Sequence, residues 1–120
     1  MQSEKYRQLV DKLMAKTERH ELEWKEGAYP DSFQVSFPNY SLMLEKKERP
    51  EGFGAPPPDI MLSIIDMAGS VIDTIYNFEI DAEGREKPYY LKMRELHRSV
   101  RQQVLGADKA VEEILSELGE

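Results

Sequence analysis

Hydrophobic positions recur along this chain with a helical period at both ends and alternate with polar ones in the middle. In residues 3–17, Tyr6, Leu9, Val10, Leu13, Met14 and Thr17 share one helical face, with charged residues elsewhere. Ser3 is placed to cap this helix, and Glu4 follows where the helix dipole favours a carboxylate. The polar face carries both signs of charge, which suits docking on a sheet better than lying on a membrane surface. Leu22 and Trp24 then alternate with charged residues, predicting a short strand or extended arm. Trp24, the single tryptophan, is expected to anchor a core or its rim.

Phe33, Val35 and Phe37 alternate with polar residues, and so do Tyr40, Leu42 and Leu44, but the parity changes across Pro38-Asn39. Residues 33–45 therefore form either a hairpin or one bulged strand. The hairpin is favoured, because Pro suits the second turn position and Asn the third. Residues 49–58, RPEGFGAPPP, break every period and predict an irregular connection that carries Phe53.

Residues 59–78 are the most β-like stretch. Ile60, Met61, Leu62, Ile64 and Ile65, then Val71, Ile72, Ile75 and Tyr76, predict two strands, with Gly69 free to take the positive φ that the turn requires. Neither strand has a fully polar face, so this hairpin is expected at the core.

Residues 79–86, EIDAEGRE, resemble a fragment of a calcium loop, but Pro88 intrudes where the closing Glu and flanking helix belong, so an acidic surface turn is expected. Pro88 suits the first turn of a helix whose apolar stripe is Tyr89, Met93, Leu96, Val100 and Val104. Lys92, Arg94, Arg98 and Arg101, with His97 nearby, give it a cationic side. Gly106 is expected to end it and Asp108 to cap a last helix. There Val111, Ile114, Leu115 and Leu118 face away from Glu112, Glu113 and Glu117. So short a helix must draw its stability mainly from packing.

These elements predict a single α+β domain over residues 1–120: an N-terminal helix, a four-stranded antiparallel meander and two C-terminal helices, the helices covering mainly one face. Composition agrees, with 40% hydrophobic and 32% charged residues. Cysteine is absent, which removes disulfides and thiolate chemistry. A net charge of -7 makes nucleic acid an unlikely partner. The N-terminus is charged, lacks the apolar run of a signal peptide, and no stretch is long enough to cross a bilayer, so a cytoplasmic location is expected.

Candidate chemistry is sparse. Of the two histidines, His20 has no second ligand at i+4 and His97 lies in no nucleophile signature. No glycine-rich phosphate loop occurs, and Asp66 and Asp73 flank a turn where Asp is expected anyway. No metal, cofactor or catalytic residue is assigned, and an enzyme is the less favoured outcome.

The succession of amphipathic helix, Trp24 in LEWKE, the segment from Ser32-Phe33 to Leu44, the strand pair around Asp66-x-x-Gly69 with Val71-Ile72, and a basic helix followed by a short acidic one resembles small stand-alone α+β proteins of bacteria and phages. The resemblance spans nearly the whole chain and implies a fold, with no activity or site residue to carry over.

The expected function is that of an accessory or regulatory protein-interaction module of a bacterial or phage system, self-associating as a homodimer. Met43, Met61 and Ile65 on the second sheet face, with Phe53, are the candidate apolar patch. The alternative is a binder of small anions, a nucleotide or phosphorylated metabolite, held by Arg94, His97, Arg98 and Arg101 on the helix over 88–104.

Overall fold

The computed structural model describes residues 2–47, 59–81 and 88–119. In chain order they form α1 (Gln2–Glu18), β1 (Lys25–Glu26), β2 (Ser32–Ser36), β3 (Tyr40–Lys47), β4 (Asp59–Asp66), β5 (Val71–Tyr76), α2 (Asn77–Asp81), α3 (Pro88–Leu105) and α4 (Ala107–Leu118). The strands make one antiparallel meander in the order β1-β2-β3-β4-β5. The pattern predicts a four-stranded meander and the sheet has five strands, because the short strand or extended arm expected around Leu22 and Trp24 includes β1, which joins the sheet with Lys25 opposite Gln34 and Glu26 opposite Phe33. A second difference is α2. The strand stops at Tyr76, where Glu79 Oε1 accepts a hydrogen bond from the Tyr76 N–H at 2.9 Å, and the chain turns helical at Asn77. The proline-rich segment with Phe53, and residues 82–86 of the acidic turn, lie outside the described residues.

Residues 33–45 are a hairpin, with Ser36 opposite Ser41 across Pro38-Asn39. In the β4–β5 turn Gly69 has φ 89°, the Asp66 N–H bonds the Ser70 carbonyl at 2.9 Å, and the register slips between Ile64 and Ile65. That slip is a bulge, which lets the two strands keep facing the core beyond an odd-numbered turn.

The pairing lines up Phe33, Leu44, Leu62 and Ile75 across four strands on one face, with Leu44 and Leu62 at 0% exposure. Tyr6, Val10 and Leu13 of α1 and Met93, Leu96 and Val100 of α3 belong to the same buried cluster. Trp24 closes one end, its Nε1 donating to the buried Thr17 hydroxyl at 3.0 Å. Polar links fix the two long helices to each other. The Asp11 carboxylate accepts from the Tyr89 hydroxyl at 2.8 Å and from Lys92 Nζ at 2.7 Å, and Gln103 Nε2 donates to the Thr17 carbonyl at 2.8 Å.

The opposite face is mixed. Gln34, Met43, Ser63 and Thr74 stand in one row, with the Ser63 and Thr74 hydroxyls 2.9 Å apart. Met61 is buried and Met43 and Ile65 are half-buried, whereas Phe33 belongs to the core face.

The outer edge of the sheet is β5. There the Thr74 N–H donates to Asp73 Oδ1 at 2.9 Å, so Thr74 and Tyr76, amides of one parity, are both held by carboxylates of this chain. Asp73 also accepts the Tyr6 hydroxyl, and burial, followed by that hydrogen bond, pushes the Tyr6 phenol up to about 12.

Leu62→Ala removes side-chain atoms from the centre of this core and leaves a cavity. It is expected to lower the unfolding free energy by about 2–5 kcal/mol, read as a shift of the midpoint in urea denaturation with the slope unchanged.

Candidate functional site

Two surfaces among the described residues combine exposed side chains with a distinct chemistry, beside scattered exposed apolar residues such as Met67, Val71 and Ile72. The first is a groove beside α3, lined by Asp31, Lys46, Leu91, Arg94, Glu95, Arg98 and Arg101, with Ile60 and His97 at its base. Its four cations outnumber its two carboxylates, which makes it a cationic patch on an acidic protein.

Asp31 builds this groove. It stands just before β2 in the left-handed conformation, φ 58°, which Asp tolerates better than most residues. Its carbonyl accepts from the Lys46 N–H at 3.2 Å and from His97 Nε2 at 2.8 Å, while its Oδ1 accepts from Arg101 Nε at 3.1 Å. A carbonyl can only accept, so Nε2 is the protonated nitrogen of the ring. Burial lowers the His97 pKa below its ordinary value; the Asp31 contacts oppose this and the Lys46 and Arg101 charges add to it. The ring meets Phe33 edge-on, centroids 5.4 Å apart.

The residues singled out on the basic helix therefore separate. His97 turns inward as a core histidine at 3% exposure, whereas Arg94, Arg98 and Arg101 share the exposed side. Arg94 lies over the Tyr90 ring at 5.8 Å, and Arg101 is engaged by Asp31. The groove carries an excess of positive charge, and the His97 ring beneath it is held by a backbone carbonyl. Among the described residues no three His, Asp or Glu side chains converge as a metal site.

The second surface is α4. Gly106, at φ 73°, ends α3 in the left-handed conformation and serves as the N-cap of α4, so Asp108 sits in the first turn and does not cap, contrary to the sequence-based expectation. A glycine takes this backbone geometry without a Cβ clash. It sends α4 away from the body: the helix contacts chiefly α3, none of its residues is buried, and Val111, Ile114, Leu115 and Leu118 are 54–73% exposed. The apolar stripe is as predicted, but the packing expected to support it is not supplied by the described part of this chain. The sequence signal for Val111, Ile114, Leu115 and Leu118 was present, and only their burial was misplaced. Leu91, exposed at the groove, has no such signal, being a single leucine off the apolar stripe of α3.

No helix among the described residues is long and apolar enough to cross a membrane.

The neutral His97 has a pH consequence. Because its folded pKa lies below the unfolded value near 6.5, the unfolded chain takes up a proton first as pH falls. Stability is expected to be full above that value and to decline below it, and His97→Gln is expected to flatten the decline between about pH 7 and 5. The Asp11–Lys92 pair acts lower, since hydrogen bonds from Lys92 and Tyr89 outweigh burial and hold that carboxyl below its ordinary 3.8. Urea midpoints of the two proteins across this range make the comparison.

No protein family, curated protein or solved structure matches the chain.

Proposed function

We propose that this chain is a small non-enzymatic protein-interaction module that self-associates, with α4 as its docking element. One observation carries this reading: a twelve-residue helix whose whole apolar face is in solvent. Isolated helices of about 12–15 residues or fewer are marginal in water, and most helical stability in proteins comes from packing an apolar face. A contiguous apolar stripe of this kind marks an interaction surface. The second sheet face contributes less than its sequence suggests, since Met61 is already buried and Met43 and Ile65 are half-buried.

Fully burying Val, Ile or Leu is worth roughly 1.5–3 kcal/mol, and association costs an estimated 4–15 kcal/mol. Four exposed side chains on one helix, each losing only the exposed part of its surface, are then near break-even. A strip used twice, as two-fold symmetry provides, gives a stable pair.

The anion-binding alternative draws support from the cation excess in the groove. If it holds, nucleotides or phosphorylated metabolites raise the melting temperature by several degrees, and Arg98→Ala abolishes the shift.

For the main reading, light scattering of the native protein is expected to give a mass above that of one chain, insensitive to dilution over the micromolar range. Leu115→Asp, at an exposed position, is expected to return it to one chain while costing the fold under about 1 kcal/mol. A native protein that stays monomeric at high concentration overturns the reading.

A further inference from the structure

Charge identifies the surface that α4 meets. The helix carries Asp108, Glu112, Glu113 and Glu117 against Lys109 alone. Two copies of α4 laid together would set these carboxylates against each other around a shared apolar strip, and like charges at such spacing are destabilising. The complementary charge lies on α3. Its solvent side presents Leu91, Arg94, Arg98, Arg101 and Leu105 at alternating intervals of three and four, all exposed. That is a helix-pairing seam with apolar ends and a cationic middle.

We propose that a second copy of this chain docks by reciprocal exchange: the apolar face of each α4 lies antiparallel along the α3 seam of the other copy, about a two-fold axis near Gly106. The proposal rests on the self-association put forward for this module. Such an axis pairs positions equidistant from Gly106. Val111 then falls opposite Arg101, Leu115 opposite Arg98 and Leu118 opposite Arg94, in register to within one residue.

The guanidinium stems have the length to cover the apolar stripe with their methylenes while their heads reach Glu112, Glu113 and Glu117 within about a turn. Arg101 can keep Asp31 and still engage a partner carboxylate, because a guanidinium has five N–H donors. Gly106 makes the exchange feasible, since the left-handed turn there leaves the apolar face of α4 and the seam of α3 both exposed. Used twice, each α4–α3 strip need bury only about half of the roughly 1,600 Å² of a standard interface.

Charge reversal on each side tests this. E112K/E113K/E117K and R94E/R98E are expected each to weaken self-association at least tenfold in sedimentation equilibrium at low salt, with circular dichroism unchanged. Mixed one to one, they are expected to form a heterodimer of near-native affinity, because exchange then sets a basic α4 on an acidic seam and an acidic α4 on a basic one. Failure of the mixture to associate, or homodimers of either variant as tight as the native protein, overturns the exchange. If Leu115→Asp still dissociates the protein in that case, self-association through α4 survives and only the assigned surface is wrong. A native protein that is monomeric overturns both.

Discussion

Everything in this fold leans on the pairing of Leu44 with Leu62 at the middle of the sheet. Both side chains are wholly out of solvent, and they sit in the row that brings Phe33 and Ile75 onto the same face. A slip of one residue in that register would turn the whole apolar row to the other side and leave α1 and α3 with a polar surface to pack on. On either side of this pair, the Pro38-Asn39 turn sets the β2–β3 register that brings in Phe33, and the β4–β5 register that brings in Ile75 shifts at the bulge after Ile64. Once the row is set, the two long helices have one place to go, and the Asp11–Lys92 and Gln103–Thr17 contacts fix how they lie against each other.

Asp31 does for the groove what that leucine pair does for the sheet. A single residue with a left-handed backbone ties β3 and two successive turns of α3 together, through one carbonyl and one carboxylate oxygen. It thereby decides which side of α3 is buried. Met93, Leu96, His97 and Val100 go inward, and the arginines at 94, 98 and 101 are left outside on a rigid backbone.

Much of this was legible from residue spacing. The helices, the two hairpins and the role of Trp24 follow from periodicity and from turn chemistry at Pro38, Gly69 and Gly106. Periodicity reports that a face is apolar, however, and says nothing of what covers it. The stripes of α1 and α4 look alike in sequence, yet Val10 is sealed and Leu118 is in solvent. The inward turn of His97 was hidden for a related reason: it depends on the carbonyl of Asp31, sixty-six positions away. α2 was lost to length, since five residues are too few to establish a period, and the two residues of β1 could be read as a short strand or arm but not assigned to the sheet.

The outer strand of the sheet carries a consequence for the order of events. The amides of Thr74 and Tyr76, which a further strand would need, are already occupied by Asp73 and Glu79, and the negative charge of those groups repels a like edge. The sheet therefore ends itself. A further strand is denied those two amides, while Val71 and Ile72 nearer the turn stay exposed. Under the self-association proposed above, the meeting of α4 with α3 is a step between finished molecules, adjustable by a few surface charges.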